Sequence, residues 1–521
     1  MSILSLLLCP FFETQTIPFA LTLRQAPDRV RVAYRRARAG LPSFDTSGLS
    51  ERPPQDGRKS HLSPNGFSLA RKVLFWFALC AACVTPTQAQ TTSTSTSTSA
   101  AQPPSAYTAA VATEWFQLAL ALTQQTPGFS PPVASRAFAY LGLALYESTV
   151  PGMPDRQSLA GQLNELSSLP WAQPDEPLHW PTVANASLAT MTRMMFPTAS
   201  AENKARIDLL ERSLPLKLQQ DFNPAVITAD ISNRSESFGK LMAMALMTWA
   251  RTDGGHEAWG PLRKSRENYV PPSGAGQWSA TPPSFAPPLL PYWGSNRTFV
   301  LNNAAACPAP PPPDYSEEVG STFYKDAQEV HGIANAATQA QRQFALYWAD
   351  DPLKTPTPAG HWVFIATDLL KLRKANLAQA AEVYARLNIA MADVFIANWA
   401  TKYQLNLLRP VTYVQLVIDS NWVPTLMHTP AFPDYPSGHA GQSSAAAAVL
   451  SATFGAQTAF TDNTHNDRGW GPRNFKSFQA AADEAALSRL YAGIHFRSSV
   501  EGGKVQGLCV AQKVLGLQLS R

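Results

Sequence analysis

The sequence predicts an all-α protein made of helical bundles packed together. From Ala106 onward, apolar residues recur at spacings of three and four, which is the period of an amphipathic helix. Long runs of alternating apolar and polar residues, which would indicate a sheet, are missing from the sequence, and no internal repeat is evident. At 521 residues the chain is long enough to bury one large core or two smaller ones.

Apolar spacing and helix-breaking residues place the individual helices. Pro131-Pro132 suits a helix start, because the first amide groups of a helix lack partners within it. Between about 252 and 314 the chain is irregular and rich in Gly, Pro and aromatic residues; a loop of this length is usually functional or wraps the fold. The predicted helices lie near 107–125, 132–149, 182–195, 201–220, 229–251, 315–331, 336–350, 359–373, 376–401, 402–418, 440–454, 477–491 and 500–517.

The first hundred residues differ in composition from the rest. Residues 71–89 resemble a secretory signal, with Arg71-Lys72, an apolar run and a small-residue cleavage site. That run of about a dozen residues is short for a bilayer, so we expect cleavage, export to the periplasm or the exterior, and no stable membrane insertion; an uncleaved anchor is the alternative. Residues 1–70 are predicted to be a disordered leader or an over-extended start, 90–105 a low-complexity linker, and 106–521 the helical domain.

The basic net charge of +5 comes from the leader. Residues 1–89 hold 11 of the 42 Lys and Arg but only 5 of the 37 Asp and Glu, so the remainder is close to neutral. Because no basic tract follows, the sequence argues against nucleic acid as a partner. After signal cleavage only Cys307 and Cys509 remain; they could form one disulfide in an oxidising compartment, which the sequence leaves open.

The first of three polar segments near the C-terminus contains Lys402 and Arg409. Seven residues make two helical turns, so we expect both side chains to point from one face of one helix, which then kinks or ends at Pro410. Taken alone, such a pair is more often a solvated stripe than a site.

The second segment is Pro436-Ser437-Gly438-His439, directly before the helix near 440–454. The free amide groups of a helix N-terminus favour an anion. Gly438 lets the backbone approach it closely, Ser437 supplies a rotatable donor, and His439 can donate or accept a proton. The alternative for this tetrapeptide is a proline turn with a serine cap.

The third segment is Ser488-Arg489 followed by His495. Gly493 resembles a helix C-cap that turns the chain, so His495 would re-enter the cavity that holds Arg489. Together the three segments supply three cations, a hydroxyl, a glycine amide and two imidazoles. This set suits a multiply charged oxyanion such as phosphate or vanadate, whose charge Arg and Lys neutralise best.

These segments resemble the signature of the family that joins vanadium-dependent haloperoxidases, type-2 phosphatidic acid phosphatases and bacterial acid phosphatases. The signature is Lys, six residues, Arg-Pro; Pro-Ser-Gly-His; and Ser-Arg, five residues, His, three residues, Asp. Residues 399–505 carry it, and the upstream region and chain length favour the exported bacterial haloperoxidase-like branch. The chain departs at the last position, where Ser499 replaces the Asp that orients the histidine. Glu501 or another carboxylate would have to substitute.

The resemblance implies two four-helix bundles, with the oxyanion at the end of the C-terminal one. It assigns oxyanion binding to Lys402, Arg409, Ser437, Gly438, Arg489 and His495, and catalysis to His439, His495 and Lys402. His495 would be the axial ligand of vanadium in a haloperoxidase, or the nucleophile in a phosphatase. Trp399 and Phe432 fall where relatives place halide-pocket aromatics, although single aromatic residues are more often core.

The leading hypothesis is a haloperoxidase that uses vanadate as cofactor. Its partners would be hydrogen peroxide, a halide and a small organic acceptor, with no nucleotide or flavin. A phosphomonoesterase acting through phospho-His495 is the second hypothesis. The third is an exported oxyanion-binding protein that has lost catalysis through Ser499. The sequence leaves open which halide is used, the organic acceptor and the oligomeric state.

Overall fold

A computed structural model describes residues 102–223, 227–258 and 269–521 of the chain. The predicted leader at 1–70, the signal at 71–89 and the linker as far as residue 101 lie outside the described residues. The fold described below therefore belongs to the predicted helical domain.

The all-α prediction is confirmed. Across the described residues the structure has thirteen α-helices and one two-stranded sheet. The helices are α1 Ala110–Gln125, α2 Pro131–Thr149, α3 Trp180–Met195, α4 Ala201–Lys217, α5 Ala229–Ala250, α6 Thr322–Ala336, α7 Gln339–Tyr347, α8 Thr357–Leu372, α9 Leu377–Leu405, α10 Pro410–Val417, α11 Gly438–Phe454, α12 Phe478–Tyr491 and α13 Arg497–Leu515. Among these helices, none is both long enough and apolar enough to cross a membrane.

The prediction of one helix near 402–418 is wrong. Helix α9 continues to Leu405 and ends at Asn406, which has the left-handed φ of 49° that Asn tolerates. Arg409 is extended, with φ −86° and ψ 155°, because the residue before a proline is pushed out of the helical region. Pro410 then begins α10, where its missing amide hydrogen does no harm. Lys402 and Arg409 therefore belong to different elements.

A short hairpin between α11 and α12 was not predicted. Strand β1, Phe460–Asp462, pairs antiparallel with β2, Arg473–Phe475, and Phe460 lies opposite Phe475. Three residues per strand are too few for an alternating pattern to stand out in a sequence.

Helices α9, α11, α12 and α13 form a C-terminal four-helix bundle, with α11 packed against the other three. The end of α9 carries Lys402 and the end of α12 carries Arg489, whereas the bundle's other two helices start beside Ser437 and His495. The sequence segments therefore lie at two helix C-termini and two helix N-termini. These termini share one end of the bundle if neighbouring helices are antiparallel, as is usual in such bundles.

Helices α11 and α13 approach very closely, which locks the start of α11 in place. A Cβ at Gly507 would lie 2.0 Å from the carbonyl oxygen of Gly441, and one at Gly503 would lie 2.5 Å from that of Ser437. Only glycine permits this backbone contact. The Ser437 amide also donates to the carbonyl of Ser499, at 2.9 Å.

The described residues of the irregular stretch, 252–258 and 269–314, are connected to the bundle through 299–301 and Cys307. Its Cys307 forms a disulfide with Cys509 of α13. Its backbone amides at 299–301 donate to the buried carboxylate of Asp393 on α9. The loop is thus held by a covalent bond and by hydrogen bonds to two helices of the bundle, as expected for a wrapping connection.

Candidate active site

Lys402 lies in the last turn of α9 and is fully buried. Its Nζ donates to the backbone carbonyls of Pro433 and Asp434, at 3.0 and 2.9 Å. Burial, and then the nearby charge of Arg409, hold the pKa of Lys402 well below its ordinary value. An anion beside this ammonium would favour its charged form.

Arg409 is the residue before α10 and is also fully buried. Its Nε donates to the Phe432 carbonyl and its Nη1 to the Ile494 carbonyl, both at 2.8 Å. Its Nη2 has no hydrogen-bond partner among the described residues. Burial lowers the pKa of Arg409 to about 10. A buried guanidinium with a free donor is a strong candidate for binding an oxyanion.

The Pro-Ser-Gly-His segment begins α11, as predicted. Ser437 is the N-cap, and its Oγ accepts from the Ala440 amide at 3.4 Å, so the alternative of a serine cap also holds. Beside Gly438, a Cβ would meet nothing nearer than 3.5 Å. The Nε2 of His439 is shielded from solvent and lacks a hydrogen-bond partner within the described part of the chain. Burial, and then Arg489, lower the pKa of His439 well below its ordinary value.

Arg489 is fixed at the end of α12 by three hydrogen bonds to oxygen atoms and a longer one from Nη1 to Met427 Sδ, at 3.6 Å. Its Nη2 donates to the carbonyls of Ala345 and Trp348, at 3.2 and 2.9 Å, and its Nε donates to Ser488 Oγ, at 3.0 Å. The predicted turn is confirmed, since Gly493 has a left-handed φ of 72° just beyond the helix.

His495 follows that turn and lies against Arg409. The Nη1 of Arg409 is 3.2 Å from His495 Nε2. Burial holds the pKa of His495 well below its ordinary value, and the positive charges of Arg409, Lys402 and Arg489 lower it further. The three sequence segments therefore converge. We call their predicted residues the oxyanion cage: Lys402, Arg409, Ser437, Gly438, His439, Arg489 and His495. Their individual roles remain predictions.

The acid beside His495 comes from a position that the sequence patterns did not identify. Oδ1 of Asp434, a fully buried residue, lies 2.8 Å from His495 Nδ1. Burial raises the pKa of Asp434 to about 6, although Arg409 and Lys402 oppose the shift. Glu501, the substitute considered from the sequence, is 53% exposed and pairs with Lys504 at 3.4 Å. Asp434 stands just before Tyr435-Pro436, and an acid next to the Pro-Ser-Gly-His segment was the only signal for it.

The two predicted halide-pocket aromatics lie beside the cage. The rings of Trp399 and Phe432 are 5.0 Å apart between centroids. The Nζ of Lys402 is 5.9 Å from the first centroid and 5.0 Å from the second. Trp399 is buried and also packs against Phe395, so it contributes to the core as well. The geometry leaves their role toward halide as a prediction.

A second buried cluster adjoins the cage and was missed from the sequence. We call Asp350, His361, Asp462 and His465 the Asp350 cluster. His361 lies between two carboxylates, with Nδ1 2.9 Å from Asp350 and Nε2 2.8 Å from Asp462. His465 Nε2 lies 3.3 Å from Asp350 Oδ1. The pair Asp350 and His361 lies about a hundred positions before the pair Asp462 and His465, so no local spacing could join the two pairs.

Charge compensation dominates the Asp350 cluster. Burial alone would lower the pKa of His361, but Asp350 and Asp462 raise it to about 10. Burial alone would raise the pKa of Asp350, but His361 and His465 hold it well below its usual range. Asp350, His361 and His465 could supply three metal ligands. Both ring nitrogens of His361 already bond to carboxylates, however, so this imidazole is committed to an ion-pair network, whereas His465 Nε2 and Asp350 Oδ1 complete no hydrogen bond within the described residues.

Comparison with known proteins identifies the family. The model of the VCPO second helical-bundle domain matches residues 382–520. The crystal structure of a bacterial vanadium-dependent iodoperoxidase is 33% identical with a TM-score of 0.71, and the match covers 80% of this chain and 98% of that one. The chain belongs to the vanadium haloperoxidase superfamily. Comparison with curated proteins gave no match.

Two further superfamily structures share the fold at lower identity. The holo form of a bacterial vanadium-dependent chloroperoxidase is 16% identical with a TM-score of 0.57, covering 75% of this chain and 93% of that one. The corresponding apo form is 15% identical with a TM-score of 0.55, covering 74% and 95%. The predicted all-helical haloperoxidase architecture is therefore confirmed.

The cofactor implied by this superfamily is vanadate, and the residues present fit it. Three buried cations match the charge of an oxyanion, and Arg409 Nη2 retains an unused donor. Gly438 is buried at the start of α11, whose N-terminal amide groups favour an anion. His439 and His495 add two imidazoles, of which the second has a ring nitrogen beside Arg409.

Proposed function

We propose that this protein is a vanadate-dependent haloperoxidase that oxidises a halide with hydrogen peroxide. The observation that carries the proposal is the oxyanion cage, which has three buried cations and two imidazoles next to the Trp399–Phe432 pair. The 33%-identical relative is an iodoperoxidase, so iodide is the first halide to test. The hypohalous product would then halogenate a small organic acceptor.

The cage residues would bind vanadate and orient it. Lys402, Arg409 and Arg489 would neutralise its oxygens, while Ser437 and Gly438 would donate hydrogen bonds. His495 would supply an imidazole nitrogen to the vanadium. Bound vanadate would supply Lewis acidity toward peroxide. Because the cations are already fixed by backbone carbonyls, little reorganisation is needed when an anion enters.

His439 would handle the proton released when peroxide binds. Its lowered pKa keeps the ring neutral near pH 7, and its Nε2 carries no hydrogen bond that would have to break first, within the part of the chain described. Lys402 would polarise bound peroxide. Trp399 and Phe432 would form an apolar wall that strips water from the halide and makes it easier to oxidise.

Two assays separate the proposal from its main alternative. Protein loaded with vanadate should oxidise iodide in the presence of hydrogen peroxide, measured as triiodide formation, with bromide and chloride in parallel. Vanadate-free protein should be assayed with p-nitrophenyl phosphate. Phosphatase turnover without halide-dependent peroxidase activity would reverse the ranking. Tight vanadate or phosphate binding without turnover in either assay would support the oxyanion-binding alternative.

One observation suits the phosphatase alternative equally well. A carboxylate at 2.8 Å from Nδ1 of His495 would suit a nucleophilic histidine as well as an axial ligand. His495 would then form the phospho-histidine, and His439 would protonate the leaving group. The same cage would stabilise the five-coordinate phosphoryl group.

Export remains part of this proposal. The Cys307–Cys509 disulfide supports it, because disulfides persist mainly in oxidising compartments. Fractionation of cells that produce the full chain, with N-terminal sequencing of the mature protein, tests export. A cytoplasmic protein that keeps residues 71–89 would contradict it.

A further inference from the structure

A buried carboxylate lies where the family signature assigns none. Asp434 Oδ1 is 2.8 Å from His495 Nδ1, whereas the nearest arginine nitrogen, Nη1 of Arg409, is 3.6 Å away. Neither carboxylate oxygen completes a well-aligned hydrogen bond within the described residues. A buried carboxylate in this state needs a donor, and His495 is the closest of its titratable neighbours.

We propose that Asp434 orients His495 and takes over the part of the acid that Ser499 replaces. The inference rests on the proposed function in one respect, namely that His495 faces the bound oxyanion. Asp434 is a positioning residue, since it acts through the imidazole and does not touch the substrate. The acid has moved from the first turns of α13 to the loop before α11.

The surroundings of Nδ1 fix which nitrogen carries the proton. Besides the carboxylate, Nδ1 has Ser499 Oγ at 3.2 Å; the donor Arg409 Nη1 is 3.4 Å from Nδ1 but nearer to Nε2, at 3.2 Å. That hydroxyl donates its hydrogen to the Asp434 carbonyl at 3.0 Å, so its oxygen can only accept from the ring. With two acceptors beside it, Nδ1 is protonated. The lone pair of Nε2 then faces the donor Nη1 of Arg409, at 3.2 Å.

The backbone around Asp434 holds the carboxylate at this position. Its amide donates to the Leu407 carbonyl at 2.9 Å. Its own carbonyl accepts from Lys402 Nζ at 2.9 Å and from Ser499 Oγ. Asp434 is therefore held by the segment between Lys402 and Arg409 and by helix α13. This restraint is what an orienting residue requires.

The small side chain at 499 is consistent with this exchange. An acid at both positions would bring two buried carboxylates to one imidazole, where their like charges repel. One acid is enough, and either position can supply it. The carboxylate should therefore be movable between them: Ser499→Asp should restore what Asp434→Asn removes.

The test compares Asp434→Asn, the double variant Asp434→Asn/Ser499→Asp, and Glu501→Gln as control. Titration calorimetry with vanadate should give binding about 10- to 100-fold weaker in Asp434→Asn, the usual effect of losing such a partner. The double variant should regain most of that loss, and the control, at an exposed pair with Lys504, should bind as wild type. Nitrogen-15 NMR of labelled histidines should report His495 protonated at Nδ1 in wild type and a mixture in Asp434→Asn.

Unchanged vanadate affinity in a folded Asp434→Asn variant, or failure of Ser499→Asp to restore it, would overturn the inference. If Asp434→Asn does not fold, the wild-type spectrum decides: protonation at Nδ1 supports the inference, and protonation at Nε2 overturns it. Lack of halide oxidation by wild-type protein would overturn the proposed function alone. The NMR result would still decide the position of the proton on His495.

Discussion

The oxyanion cage and the Asp350 cluster are both buried and charged, yet they differ in how far neighbouring groups compensate the buried charge. In the Asp350 cluster, carboxylates flank the protonatable His361 on both sides. In the cage, Lys402 and Arg409 share the buried carboxylate of Asp434, whereas Arg489 is influenced by Asp350 of the neighbouring cluster and by Asp351. The two clusters are close enough for Asp350 to influence the pKa values of His439 and Arg489.

The pKa shifts record the difference. The pKa of His361 is raised to about 10 because its neighbours stabilise the cation. Those of Lys402, His439 and His495 are lowered because burial and neighbouring cations destabilise it. We therefore expect the Asp350 cluster to contribute to stability and the positive potential of the cage to be neutralised by a bound anion.

His361→Gln should have the largest effect on stability. Removing one partner of a buried ion-pair network leaves uncompensated charge, so we expect the free energy of unfolding to fall by about 3–5 kcal/mol. Urea denaturation measures this change. Vanadate affinity of the folded variant should stay close to that of wild type, because His361 is not a cage residue.

The control for this variant is His331→Gln, which removes a partly exposed histidine paired with Asp419 at 3.6 Å. Its unfolding free energy should change by about 0.5 kcal/mol or less. If His361→Gln is no more destabilised than this control, the Asp350 cluster does not stabilise the fold.

Lys402→Met should lower turnover strongly but leave stability nearly unchanged. Loss of this cation should reduce haloperoxidase turnover by about 10²- to 10³-fold, the usual effect of deleting one preorganised electrostatic donor. Stability at pH 7 should be retained, because losing hydrogen bonds to two carbonyls is offset by removing a buried charge whose pKa is already lowered. Steady-state kinetics and thermal denaturation give the two readouts.

Lys371→Met is the matched control, since Lys371 is partly exposed and pairs with Glu114 at 3.7 Å. It should alter neither turnover nor stability appreciably. A Lys402→Met variant that keeps full turnover would remove Lys402 from the catalytic residues. One that unfolds as readily as His361→Gln would show that the cage lysine also supports the fold.

Local sequence signals predicted two backbone features beside the cage. The Pro-Ser-Gly-His segment was expected at a helix N-terminus, and Gly493 was expected to turn the chain; the structure confirms both. The prediction of one helix near 402–418 is wrong because Pro410 begins a helix and does not end or kink one. Seven-residue spacing then suggested a shared helix face, although a non-helical segment brings Arg409 to the site.

What the sequence missed depends on contacts between distant segments. Asp434 and His495 are in contact although they lie 61 positions apart in the sequence. His361 meets Asp462 from 101 positions away. No helical or strand period relates such residues, so the Asp350 cluster and the Asp434 contact required the packed helices. The motif at Ser499 could indicate that an acid was missing, but only the fold could indicate which acid lies nearest.

The smallest predicted effect is a pH dependence that separates the two clusters by sign. A histidine with a raised pKa stabilises the fold fully below its unfolded value of 6.5, and this contribution is lost as the pH rises toward about 10. A lysine with a lowered pKa destabilises the fold at low pH, and this penalty disappears by its unfolded value of 10.5.

Between pH 6.5 and 9, the stability deficit of His361→Gln relative to wild type should therefore shrink, whereas any stability advantage of Lys402→Met over wild type should also shrink. Urea denaturation of the three proteins at several pH values measures both slopes, at most about 1.4 kcal/mol per pH unit for one proton. Slopes of the same sign for the two variants would contradict the division of stability and binding between the clusters.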